Sequence, residues 1–257
     1  MSKHIAKRRW TLVLMILSLL VFTTVLAQRW VQEAQSNTDE DLKGVWVTAT
    51  KNADDPLHPI LKMYAVGSGG VIIYSENGTD WSAQASGTPD TLNAVWGSSA
   101  TDIVAVGDYG TIVHSSNSGD TWATETSSTA NTLNAVWGSS ATDVFAVGDY
   151  GTILHTSNSG TTWTAHTSGT SYSLKAVWGI SLNNVYAVGD HGTILHYNGA
   201  TWTSQSVSAS VTLNGIWGTS PCNVYAVGEM EGVAVIYHFD GSSWTRQDDG
   251  ESDYALN

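Results

Sequence analysis

The chain has 257 residues and a formal net charge of −13, with 10 Lys and Arg against 23 Asp and Glu. Beyond Lys62 the only Lys or Arg residues are Lys175 and Arg246, which excludes a nucleic-acid backbone and an anionic lipid surface as partners of the main body. Charged residues at 13%, 25 glycines and 4 prolines describe a β-rich exported domain, and the one cysteine, Cys222, leaves no intrachain disulfide and is expected as a small buried side chain in a turn.

Residues 1–27 open with Lys3, Lys7, Arg8 and Arg9, continue with an apolar run from Trp10 to Leu26, and end on Val25-Leu26-Ala27. Valine and alanine at that spacing suit a signal peptidase, yet the run also approaches the roughly 20 apolar residues that cross a bilayer. A cleaved signal and an uncleaved membrane anchor both fit. Either exports the remainder to the periplasm, the cell surface or the medium, with membrane contact confined to this segment. Residues 28–41 are a polar, acidic linker.

From residue 42 the chain repeats. Leu92-Asn-Ala-Val-Trp96-Gly97 recurs as Leu133-Asn-Ala-Val-Trp137-Gly138, Leu174-Lys-Ala-Val-Trp178-Gly179 and Leu213-Asn-Gly-Ile-Trp217-Gly218, with a divergent copy at Leu42-Lys-Gly-Val-Trp46. A second tryptophan follows in each unit, at Trp81, Trp122, Trp163, Trp202 and Trp244. The units are residues 42–91, 92–132, 133–173, 174–212 and 213–253, most of them about 41 residues long. In the third, Leu133–Gly138, Val144–Gly148, Thr152–His155 and Thr162–His166 are strand-like runs, separated by Gly- and Asx-rich turns. Four short strands per unit cannot bury both faces alone, so the units must stack. The fold class predicted is all-β, a β-propeller of about five four-stranded blades, with the Trp-Gly strand lining the axis. A truncated or open larger propeller is the alternative, because Asp253-Tyr-Ala-Leu256-Asn257 begins like Ser171-Tyr-Ser-Leu174-Lys175. A β-solenoid is the rival architecture, but its coils are normally shorter than one unit.

At the third turn, Ser115-Ser-Asn117-Ser-Gly119-Asp-Thr121-Trp122 resembles the Asp-box of bacterial neuraminidase repeats; the turns at Asn158 to Trp163 and Asn77 to Trp81 follow it, and Asn198 to Trp202 and Asp240 to Trp244 are shortened forms. The surrounding unit, with Ala-Val-Gly-Asp-x-Gly-Thr-Ile-Leu-His, is similar to repeats of the photosystem II assembly factor family. That resemblance implies a propeller over roughly residues 42–250. It also implies that Asn77, Asn117, Asn158, Asn198 and Asp240 fold their turns, with Trp81, Trp122, Trp163, Trp202 and Trp244 packed beneath. The family's partner surface uses arginines. Here the only arginine past Arg29 is Arg246.

No catalysis and no cofactor are expected. A sialidase-like clamp needs three arginines, and the acids that recur with the unit are explained by the unit. His114, His155, His196 and His238 share one slot on the third strand, too far apart in a propeller for zinc, so no metal is expected. The binding face predicted lies at the turn between second and third strands, where Gly69, Tyr109, Tyr150, His191 and Met230 share a slot beside Asp108, Asp149, Asp190 and Glu229. The function predicted is a non-catalytic protein-binding scaffold or assembly module, its partner another exported or membrane protein. A carbohydrate-binding surface module is the alternative, and a glycoside hydrolase is third.

Overall fold

The computed structural model describes residues 40–50 and 60–247. The expected signal or anchor, most of the acidic linker and the Asp253–Asn257 motif lie outside the described residues. Five antiparallel four-stranded sheets follow one another along the chain. The first comprises β1 (Leu42–Thr50), β2 (Ile60–Gly67), β3 (Ile72–Ser75) and β4 (Ser82–Gln84). The second holds β5 (Leu92–Gly97), β6 (Ile103–Gly107), β7 (Ile112–Ser115) and β8 (Ala123–Glu125), and the third β9 (Leu133–Gly138), β10 (Val144–Gly148), β11 (Ile153–Thr156) and β12 (Thr164–Ala165). The fourth holds β13 (Leu174–Ser181), β14 (Asn184–Gly189), β15 (Ile194–Tyr197) and β16 (Trp202–Ser204), and the fifth β17 (Val211–Ser220), β18 (Asn223–Met230), β19 (Val233–Phe239) and β20 (Trp244–Arg246). Each sheet is a meander in chain order, and the first strands of successive sheets touch one another, so β1, β5, β9, β13 and β17 lie innermost. This is the blade arrangement of a β-propeller.

Burial peaks at the second strands and falls outward from them. Second strands such as Val144–Gly148 are buried at every residue, because both faces of the blade pack on neighbours. Third strands lose one position to partial exposure, at His114, His155 and His196, and the fourth strands Ala123–Glu125 and Thr164–Ala165 are largely exposed. The core consists of four layers between blades. In one, Phe145, Val147 and Ile153 of the third blade meet Leu174, Val177, Val185, Ala187, Leu195 and Trp202 of the fourth.

The recurrent Trp-Gly pair is the joint of each layer. A methyl carbon built on Gly97 would lie 2.7 Å from the Trp46 ring, on Gly138 2.5 Å from Trp96, on Gly179 2.7 Å from Trp137, and on Gly218 2.8 Å from Trp178. Each indole thus sits on the glycine of the next blade, where any side chain would collide with it. The second set of tryptophans closes the outer edge. Trp122 Nε1 donates to Gln84 Oε1 at 3.2 Å, Trp163 Nε1 to Glu125 Oε2 at 2.7 Å, and Trp244 Nε1 to Gln205 Oε1 at 3.0 Å, each time across a blade junction. At the junction of the third and fourth blades that position is His166, and the Trp202 Nε1 donor is buried without an acceptor.

Two expectations are corrected. Cys222 is exposed, because it lies in the short β17–β18 turn beside Pro221 and Asn223 at the sheet's end. In the fifth blade, Gly228, Glu229 and Met230 pair with Val235, Ala234 and Val233, so the hairpin runs three pairs further than its counterparts. Glu229 and Met230 therefore belong to strand β18, and the residues with positive φ at the tip are Glu231 and Gly232. The extra residues Val233–Val235 are apolar and extend the ladder where the other units turn at Asp-x-Gly-Thr.

Candidate functional site

The turns after β6, β10 and β14 are built by three successive requirements. The glycine that ends the second strand approaches the backbone before the first strand: a methyl carbon on Gly107 would lie 2.0 Å from Thr91 O, and on Gly148 2.0 Å from Thr132 O. The next residue anchors the tip, with Asp108 N donating to Thr91 O at 2.9 Å, Asp149 N to Thr132 O at 2.9 Å and Asp190 N to Ser173 O at 3.0 Å. The chain then reverses through a left-handed residue, at Tyr109 (φ 56°), Tyr150 (φ 56°) and His191 (φ 57°), with Gly69 (φ 64°) in the first blade.

Left-handed backbone costs a non-glycine residue about 1–2 kcal/mol. The first blade shows that glycine serves the turn. Tyr109 and Tyr150 occupy it at 74% and 73% exposure, and their side chains make no hydrogen bond among the described residues. Neither burial nor a polar contact in the fold offsets the strain. In the fourth blade His191 stacks on Tyr172 at 4.0 Å between ring centroids and 10° between planes. Tyr172 lies in the linker that leads into β13, so both rings belong to this end of the blade. Tyr109, Tyr150 and the Tyr172–His191 pair thus occupy equivalent tips on three consecutive blades, on turns anchored by the N–H groups of Asp108, Asp149 and Asp190.

The acids beside them act inward. Every first strand carries a bulge after its leading leucine, at Lys43, Asn93, Asn134, Lys175 and Asn214. The bulge re-aims the side chain toward the turn. Asn93 Nδ2 donates to Asp108 Oδ1 at 2.9 Å and to Leu133 O at 3.1 Å, and Asn134 Nδ2 repeats this with Asp149 Oδ1 at 2.9 Å and Leu174 O at 3.0 Å. Lys175 Nζ stands 3.3 Å from Asp190 Oδ1 in the same role. Asp108, Asp149 and Asp190 therefore fix the platform and add negative potential around it, while Glu229 sits on the lengthened hairpin. The bulged residues escaped the sequence reasoning, although Leu-Asn recurs in three of the five copies and Leu-Lys in the other two.

The five outer turns hold themselves together. Asn77 Oδ1 accepts from the N–H groups of Thr79 and Asp80 at 2.9 Å each, Asn117 Oδ1 from Thr121 N at 3.0 Å, and Asn158 Oδ1 from Thr162 N at 3.0 Å. Asn198 Oδ1 accepts from Ala200 and Thr201, and Asp240 Oδ1 from Ser242 and Ser243. The Ser243 N–H, the Ser242 hydroxyl and the Ser242 N–H hold the Asp240 carboxyl down at about 2.

The third-strand histidines stay within their own blades. The rings of His155 and His238 stack on Phe145 and Tyr225 at 4.2 and 4.4 Å, and His196 packs at a tilt on Tyr186 at 4.5 Å. His114 differs, lying 3.4 Å from Asp102 Oδ2 and 3.1 Å from Glu125 Oε1. Hydrogen bonds to both carboxylates raise it to about 9. His155 is lowered by burial and by the neighbouring His166, and His166 and His196 by burial. Asp102 and Glu125 both bond the His114 imidazole, one at each ring nitrogen, so the ring stands between the two carboxylates. A shallow pocket of about 280 Å³ is lined by Tyr74, Glu76, Asn77, Asp80 and Trp81 on the first blade, apart from the aromatic tips.

No family model matches the chain, and no curated protein matches it. Solved structures do. One of YCF48 bound to a D1 peptide shares 15% identity at a TM-score of 0.61, over 84% of this chain and 69% of that one. YCF48 from Cyanidioschyzon merolae shares 15% at 0.58, over 84% and 88%. A GH74 enzyme from Niastella koreensis shares 13% at 0.61, over 80% of this chain and 37% of its own length. At such identities the likeness is one of fold.

Proposed function

We propose that this is an exported, non-catalytic propeller that binds another protein through the tips that carry Tyr109, Tyr150 and the Tyr172–His191 stack. The observation that carries it is the pair of exposed tyrosines at left-handed tips, where the first blade uses glycine. Strain kept without a folding return is a mark of function. Tyrosine brings contact area at little entropic cost, and a rigid backbone leaves that area ready to bind. The acids beside these tips favour a partner surface with cationic groups at its rim. The solved YCF48 complex with a peptide supports protein binding as a use of this architecture.

Sugar binding is the second reading, favoured by the same exposed rings, and the GH74 likeness raises it. It is weaker because the tyrosines stand on turn tips, while the described pocket lies on the first blade. Asp102 and Glu125 are held by His114, and Glu125 by Trp163 as well, which argues against hydrolysis. Export rests on residues 1–27, and it places the partner in the same compartment or its membrane.

A photo-crosslinking amino acid placed at position 109, 150 or 191 in the native host tests this. One protein captured from all three positions, and not from position 79 on the outer turn, supports it. Adducts to glycan alone replace it with the carbohydrate reading.

A further inference from the structure

The four blade junctions share one lock, and among the described residues the fifth blade carries half of it with nothing seated. At each junction the leading blade presents a tryptophan, an apolar pair on its second strand and an isoleucine on its third. In the fourth blade these are Trp178, Tyr186, Val188 and Ile194, of which the last three are at most 1% exposed. Their counterparts in the fifth are exposed by 39% at Trp217, 38% at Tyr225, 45% at Val227 and 44% at Ile236. Register confirms the equivalence: Tyr225 pairs with His238 as Tyr186 pairs with His196, and Val227 with Ile236 as Val188 with Ile194. Gln247 follows β20 as Gln205 follows β16, so it stands where the edge acceptor for the next blade's indole belongs. A contiguous apolar face of this kind is a docking surface.

The glycine socket decides what fits. The residue of the first blade aligned with Gly97 is Val47, which pairs with Met63 as Gly97 pairs with Ile103. A valine there occupies the space an incoming indole takes over Gly97, Gly138, Gly179 and Gly218. The rear face of the first blade, its own or that of a second copy, therefore does not receive Trp217 in the manner of the other junctions. The rear faces that do carry the glycine are already covered by the preceding blade. We infer that the forward face of the fifth blade seats a sixth unit of this same repeat, with a first strand of the Leu-x-x-Val-Trp-Gly type. At all four junctions the seated blade is a unit of this same repeat.

The test uses the full chain with Cys222→Ser and Ile236→Cys, and reads the rate at which a thiol reagent modifies position 236. The thiol reacts at close to the rate of an unfolded control. Appending a copy of residues 135–173 after Asn257 slows modification a hundredfold or more. The same extension with Gly138→Val in the copy does not. Protection already present in the unextended chain, protection that grows with protein concentration, or equal protection by the valine version would each overturn the inference. Circular dichroism of every variant shows whether Ile236→Cys folds, and Val227→Cys gives a second reporter on the same face.

Discussion

Two sets of aromatic side chains recur along this chain, and the structure treats them in opposite ways. The first-strand tryptophans lie at the blade junctions, each indole laid on a glycine of the next unit. The tyrosines of the second-to-third strand turns point away from the fold, from backbone that would be easier to form with glycine. Repetition alone therefore does not separate scaffold from site. What separates them is whether the fold gains from the residue. Trp137 gains a seat on Gly179, whereas Tyr150 gains nothing from its own blade.

The sharpest way to break this contrast is at the seat. Gly179→Val puts a side chain 2.7 Å from the Trp137 ring and 2.9 Å from Asn184 O, and should cost about 3 kcal/mol or more in denaturant unfolding. Trp137→Ala should cost about 3 kcal/mol, while Trp217→Ala, with no glycine under it, should cost under about 1 kcal/mol. Equal costs for the two tryptophans would remove the distinction between inner junctions and the fifth-blade face.

The turn tyrosines should show the reverse pattern. Tyr109→Gly and Tyr150→Gly relieve left-handed strand reversal, so stability should hold or rise by about 1 kcal/mol, the gain being reduced by the freer unfolded chain. A loss of 2 kcal/mol or more would mean that the rings support the fold after all.

Histidine titration compares the second blade with the third. His114 is raised to about 9 by its two carboxylates, so its contribution is complete below pH 6.5, the unfolded value, and fades as pH rises through about 9. His114→Gln should flatten the stability profile over that window. His155, His166 and His196 are lowered, so the folded chain resists their protonation and loses stability as pH falls below about 6.5. The smallest effect concerns the orphaned Trp202 donor: His166→Gln restores the acceptor found at Gln84 and Gln205, and should raise stability by about 1 kcal/mol.

Much of the scaffold was legible in advance, because units near 41 residues carry their strands and turns in fixed order. The second strands read as short apolar runs bounded by glycine, which is how a strand buried on both faces must look. The joints were not legible. Trp46 meets Gly97 across a whole unit, and no local period reports a contact between equivalent strands. The Leu-Asn repeat was visible, but a bulge is a register property that appears only when strands are paired. The fifth hairpin was misplaced because Glu229-Met230 aligns with Asp-Tyr, while Val233-Ala-Val235 continues the ladder. For the candidate site, the slot shared by Tyr109, Tyr150 and His191 is visible on alignment of the units. Its left-handed backbone, the Tyr172 stack and the inward role of the acids needed coordinates.

The most direct test of the central claim is the affinity of the partner captured at position 150, measured for the parent chain and for the Tyr109→Gly, Tyr150→Gly double variant alongside thermal midpoints. The account predicts a hundredfold or greater loss of affinity with the midpoint unchanged or slightly raised. Undiminished binding by the double variant, or a loss that appears only with a fall in the midpoint, would contradict it.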